Sequence, residues 1–401
     1  MLQAISWLLL AVYLTMPVGY CVWAFRQTAG RGRRVFSAVV TMAVGFLIGI
    51  GLCSAVAIMT GVNPLVGVAW TEALLAGYFV SGVILTLRLG DALLRAALTR
   101  TVRQRGLPLI MLAAVFRVAV LAVVVIPWVM GVGMVYRVKV AGQAWPPGWR
   151  GQRVTFTAAD GVQLSGYYFA ADSGAPSDRT AIVAHGLGAT GLMQVTMARD
   201  LRRDGWNILA FDFRAHGRSG GHVSTFGIHE SRDVLAAVRY LQADRPDTAA
   251  EIVALGASMG GAAVLAAAAE EPAIQAVAVV GSFSDMRRLA SDVSQSYFRW
   301  PVSAAVNHIA LPIASIHAGV NLGGFRPVDA VERIWPRPVM VIHGTRDEII
   351  PFAHGLRLYD AAGPGRQRLW LEGGHNSVID DGQTARGMAE FFRRAERVPE
   401  I

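Results

Sequence analysis

The sequence predicts a helical transmembrane region of four spans followed by an α/β domain, whose mainly parallel sheet is covered by helices on both faces. Three observations carry that expectation. Apolar runs of membrane-span length fill the first third of the chain. The arginines of that part sit between the runs. The remainder alternates short apolar runs with helical patterns.

Composition sets the outer limits. The chain has 401 residues, of which 53% are apolar and 16% charged. Mean hydropathy is positive. That is too apolar for an ordinary soluble enzyme of this length, and long enough for two or more parts. The net charge of +9 invites a nucleic-acid partner. Its placement argues against one. Up to Tyr136, ten arginines face two acids, Glu72 and Asp91, so eight of the nine net charges lie there. A surplus between apolar runs marks the cytoplasmic loops of a membrane protein, and nucleic-acid binding does not require it. Cys21 and Cys53 lie inside apolar runs, and the C-terminal half has no cysteine. No disulfide framework is possible there, and cysteine usage leaves the compartment open.

The spans fall near 2–25, 35–59, 64–87 and 118–136. Each is close to the roughly 20 residues that cross a hydrocarbon core. A signal peptide is the alternative for the first, but nothing basic precedes it and no clean small-residue cleavage site follows. Gly45 and Gly49 form a GxxxG pair, either a packing face or the ordinary glycine content of membrane helices. Residues 26–34 and 88–106 are arginine-rich and belong on the cytoplasmic side, whereas 60–63 carry no charge. The N-terminus and the C-terminal domain then both lie outside. Arg117 begins the fourth span from the cytoplasmic side. Trp128, Tyr136, Trp145 and Trp149 are expected at the outer interface, although Arg137 and Lys139 share that side. Glu72 is the one acid within a span, read as a functional candidate or as a snorkelling or helix-paired carboxylate. Residues 1–140 thus form the membrane region, and the Pro- and Gly-rich 141–152 form a linker.

The α/β domain is expected over 153–396. RVTFT (153–157) and VQLSGYYF (162–169) flank Asp160 and Gly161, a hairpin signal. Further strands are expected at 180–186, 207–213, 251–258, 274–282, 338–345 and 366–374. Helical patterns lie near 190–204, 228–243, 260–270, 352–362 and 383–395. Continuous apolar strands separated by helices mean a parallel sheet buried on both faces.

Functional groups in such a sheet gather at the carboxyl ends of the strands. Ser258 stands there, between Gly256 and Gly260, where a strand meets a helix. The glycines remove side chains that would clash in a tight turn, which leaves the serine clear of the sheet. A serine hydroxyl needs a base to become nucleophilic. His375 and His343 both stand at late strand ends. His375 follows "EGG" and begins a loop, so it is the expected base, while His343 is expected to pack. The base needs a carboxylate to fix its tautomer. Asp347 is the expected partner and its neighbour Glu348 the alternative. The backbone N–H of Met259 and that of Leu187, in "AHGLGAT" (184–190), are the expected oxyanion donors. His185 reads as a loop-packing residue. No histidine spacing suggests a metal site, and no cofactor is indicated.

Residues 150–396 resemble the α/β-hydrolase superfamily, with the serine-aminopeptidase-like and dienelactone-hydrolase-like small-lid hydrolases as nearest relatives. "AHGLGAT", "FDFRAHGRSGG" (211–221), "GASMGG" (256–261), "HGTRDEIIP" (343–351) and "GGHN" (373–376) carry the resemblance, in the family's order. It implies a serine hydrolase that works through an acyl-enzyme on an ester, thioester or amide. It also implies that Arg214 and His216 are structural, and that 283–325 is a lid-like insertion. Tyr297, Phe298 and Trp300 in that insertion either line an acyl pocket or cover the core. The four-span region departs from most soluble relatives. The expected partners are the membrane and a small-molecule, lipid or peptide substrate. A peptidase, a noncatalytic binding protein, and a transporter or sensor served by the hydrolase stay open as alternatives. The oligomeric state is not legible.

Overall fold

The computed structural model describes residues 126–136, 139, 143–300 and 302–395. The spans expected at 2–25, 35–59 and 64–87 lie outside the described residues, as do Gly45, Gly49, Glu72 and Arg117. Of the span expected at 118–136, Ile126–Val135 is helical. Among the described residues no helix is long and apolar enough to cross a membrane. The chain divides into two compact units, Met1–Gly131 with Trp300–Pro312, and Val132–Arg299 with Ile313–Ile401.

The strands are β1 (Gln152–Thr157), β2 (Gln163–Phe169), β3 (Arg179–Ala184), β4 (Asn207–Asp212), β5 (Glu251–Ala257), β6 (Ile274–Val280), β7 (Val339–Gly344) and β8 (Gln367–Leu371). The helices are α1 (Ile126–Val135), α2 (Gly191–Gln194), α3 (Arg199–Arg203), α4 (Glu230–Asp244), α5 (Met259–Glu270), α6 (Met286–Tyr297), α7 (Val302–Ala305), α8 (Leu311–Ala318), α9 (Pro327–Glu332), α10 (Ala353–Ala361), α11 (His375–Ile379) and α12 (Gly382–Ala395).

The strands form one sheet in the order β1-β2-β4-β3-β5-β6-β7-β8. β1 and β2 pair antiparallel, and so do β2 and β4. Every later pair is parallel. Side chains alternate across the sheet, and both faces are buried, so β5 reads as a continuous apolar run. Its Ile252 and Ala254 enter one core with Val234, Val238 and Leu241 of α4 and Ala263 and Val264 of α5. Its Val253, Leu255 and Ala257 enter the other, with Leu201 of α3 and Met388, Phe391 and Phe392 of α12. α5 reads MGGAAVLAAAAE. Alanine favours the helix and lets it lie close against β5.

Trp145 and Trp149, expected at an outer interface, are half-buried against the sheet domain. Both pack edge-to-face on Phe169 of β2, at 5.2 and 4.9 Å between centroids, and Trp145 also meets Tyr167. The segment before β1 thus closes the end of a core, because two large rings bury more apolar area there than in a free linker. Tyr136 bridges to Val223 and meets the His317 ring edge-on. In the insertion between β6 and β7, Tyr297 and Trp300 are 76% and 82% exposed. Phe298 between them is half-buried.

Candidate active site

β5 runs buried to Ala257, and the chain then turns sharply into α5. Ser258 sits in that turn at φ 54°, ψ −120°, a left-handed conformation that costs a non-glycine residue about 1–3 kcal/mol. The turn is held because its surroundings over-determine it. The Ser258 N–H donates to the Val280 carbonyl at 2.8 Å, and the Ser282 hydroxyl donates to the Ser258 carbonyl at 3.0 Å. A Cβ on Gly256 would lie 2.5 Å from the Gly260 carbonyl carbon and oxygen. A Cβ on Gly260 would press on the carbonyls of Ala184 and His185 at the end of β3. Only hydrogen fits at both places.

Asp347 follows β7, and His375 follows β8 as the first residue of α11. The loop expected from His375 onward is therefore a short helix. Its cap Gly374 has no side chain to offer, and Glu348 instead accepts the His375 N–H from across the fold at 3.4 Å. The His375 ring turns to Asp347, with Nδ1 donating to Oδ2 at 2.7 Å. Oδ1 of Asp347 accepts the N–H groups of Ile349 and Ile350 at 3.0 and 2.8 Å. Both side chains are buried. A carboxylate only accepts, so the Nδ1 proton is fixed and Nε2 keeps its lone pair. Gly281, between the two residues bonded to Ser258, lies against this pair. A Cβ there would be 3.2 Å from His375 Nδ1 and 3.5 Å from Asp347 Oδ2. Serine and imidazole thus flank one strand end. Among the described residues no hydrogen bond joins them directly.

The comparisons with known proteins bear on the fold that carries these residues. The family model for the α/β hydrolase fold matches residues 182–305. The Pyrococcus furiosus esterase Pf2001 superposes with a TM-score of 0.54 at 24% identity, over 65% of this chain and 98% of that one. The chain has the α/β-hydrolase fold. YfhR of Escherichia coli O157:H7 is 26% identical over 244 residues, 59% of this chain and 77% of that one. The α/β hydrolase domain-containing protein 17B of Xenopus laevis is 27% identical over 187 residues, 46% of this chain and 56% of that one.

Other polar groups brace the hydrolase fold around the turn. Arg214 is buried and pairs with Asp233 at 2.6 Å and Asp160 at 2.7 Å, which ties the loop after β4 to α4 and to the β1–β2 turn. The two carboxylates hold its guanidinium charged against burial. His343 is wholly buried. Its Nε2 donates to the Ile350 carbonyl at 2.9 Å and lies 3.4 Å from Asp347 Oδ2. Burial lowers its pKa. His185 accepts the Phe213 N–H at Nε2 and donates from Nδ1 to the Gly186 carbonyl. Burial drives its pKa well down. Sequence reasoning missed Glu230. Its buried carboxylate accepts from the Ser224 and Thr225 hydroxyls and from the Thr225 and Gly227 N–H groups. Ser224 also reaches the Met259 sulfur at 3.4 Å. No spacing in HVSTFGIHE marks that cluster. Among the described residues no group of three or more His, Cys, Asp or Glu could hold a metal ion.

Proposed function

We propose that the chain is a membrane-anchored serine hydrolase that cleaves an ester, thioester or amide through an acyl-enzyme. The observation that carries this reading is the 2.7 Å His375–Asp347 hydrogen bond beside the strand end that holds the strained Ser258. His375 Nε2 takes the proton of Ser258 Oγ, and Oγ attacks the carbonyl carbon. The N–H groups of Met259 and Leu187 receive the oxyanion. The imidazolium then protonates the leaving group. The same imidazole deprotonates the water that releases the acyl chain and frees Ser258.

The esterase named among the fold neighbours makes esters the first class to test. The arginine-flanked apolar runs before residue 137 support anchoring, with the hydrolase domain on the extracytoplasmic side of a bacterial inner membrane. Lipid or lipidated substrates follow from that placement. The test uses full-length protein in bilayers, p-nitrophenyl esters from acetyl to palmitoyl, and aminoacyl p-nitroanilides. Long-chain esters should be cleaved, and Ser258→Ala should abolish the activity. Efficient cleavage of short esters or anilides with none of long esters would remove the lipid reading. No Ser258-dependent turnover at all would leave a binding protein.

A further inference from the structure

In the turn after β3, side chains take the backbone N–H groups on both sides of Leu187. The Gly186 N–H donates to Gln194 Oε1 at 2.6 Å. The Gly188 N–H donates to His216 Nε2 at 3.2 Å. His216 in turn donates from Nδ1 to the Arg214 carbonyl at 2.8 Å, which fixes the tautomer that leaves Nε2 an acceptor. Further along, the Gly191 N–H donates to Asp212 Oδ1 at 2.9 Å. The Gly186 carbonyl accepts from His185 Nδ1 at 2.7 Å and from the Ala189 N–H at 3.2 Å. Gln194, His216, His185 and Asp212 are all buried. Within Gly186–Ala189, the Leu187 N–H alone has no acceptor among the described residues.

A glycine-rich turn has many ways to orient its peptide planes. Two buried acceptors, one before and one after a single residue, remove most of them. The Gly186 Cα lies against the nucleophile, since a Cβ there would be 3.2 Å from Ser258 Cβ and 3.7 Å from Gln194 Nε2. The turn that carries the free N–H thus lies beside the serine, in a frame that spends its other donors on itself. We infer that Gln194 and His216 are positioning residues for the oxyanion site. They hold the peptides flanking Leu187 so that its N–H meets the developing negative charge and not a protein acceptor. This inference rests on the serine-hydrolase reading above. Neither residue touches the reacting atoms.

The test compares Gln194→Leu and His216→Phe, which keep size and remove the acceptor. Readouts are kcat and KM on an ester, inhibition by an alkylboronic acid, and stoichiometry of fluorophosphonate labelling. A donor displaced by about an ångström costs roughly 10- to 100-fold in rate. Each variant should lose that much kcat with KM nearly unchanged. Boronate affinity should fall by a similar factor, because the tetrahedral adduct uses the oxyanion site and the ground-state ester does not. Labelling should still reach one per chain. Unchanged kcat, or a loss shared with KM while boronate binding stays intact, would overturn the inference and leave the hydrolase reading standing. A parent chain that neither labels nor turns over would sink both. Should Gln194→Leu not fold, His216→Phe carries the test, since the new ring keeps the packing that His216 makes on His185 at 5.0 Å.

Discussion

Asp347 and Glu348 are adjacent carboxylates with different work. Asp347 has its two oxygens divided between the His375 ring and two backbone N–H groups. Among the described residues Glu348 reaches the His375 amide alone, at 3.4 Å. One residue of chain turns the second side chain from the ring to the helix start. Asp347→Asn should therefore lower kcat by about 10⁴-fold, because an amide cannot hold the Nδ1–H tautomer or stabilise the imidazolium. Glu348→Gln should leave kcat nearly unchanged and cost about 0.5 kcal/mol, the worth of a carboxylate at a helix N-terminus. Steady-state kinetics and urea melts on the two variants check both statements.

At the scale of elements, the strand–turn–helix around Ser258 is the most constrained piece. Gly260→Ala should destabilise the protein by about 3 kcal/mol, since the new methyl meets backbone carbonyls that cannot swing away. A Gly→Ala change in a helix otherwise gains stability, so thermal melts should show the reversed sign. This piece was legible in the sequence. β5 is buried on both faces, so its apolar run is unbroken, and the glycines stand at the turn they permit. The inner strands β3, β4, β6 and β7 follow from the same logic, whereas β1 alternates buried and exposed residues at the sheet edge. The start of α11 was not legible, because its cap comes from Glu348 across the fold. Helices α6 to α9 were not expected as helices either. Their segment mixes polar and apolar residues, and Asp285 caps α6 through the Arg288 N–H. Gln194 carried no signal and His216 read only as a structural residue of its motif, for their meaning lies in which amides they meet.

At the scale of the whole molecule, acid sensitivity follows from buried neutral imidazoles. Burial lowers the pKa of His185, His343 and His354, the last to about 4. His354 Nδ1 accepts the Ser284 N–H at 3.1 Å, and Nε2 meets Asp292 of α6 at 3.2 Å, so it clasps α10 to α6. Asp292 favours its charged form, and burial outweighs that. In the unfolded chain these histidines take up protons near pH 6.5. At these three sites the unfolded state then binds more protons than the native one below that value, and buried Asp233, raised to about 6, offsets part of the difference. Stability should therefore be flat above about pH 7 and fall as pH drops. The slope is about 1.4 kcal/mol per pH unit for each histidine kept neutral. For His354 the loss should run from about 6.5 to about 4. Urea midpoints at about pH 7.5, 6 and 5 measure it, and His354→Gln should make the curve shallower.

The most direct measurement is intact-mass and peptide-mapped labelling of the full chain with an alkyl fluorophosphonate. One adduct per chain, located on Ser258 and lost on denaturation or in His375→Ala, is the predicted result. No adduct, an adduct on another residue, or equal labelling without the imidazole would contradict a serine activated by that base.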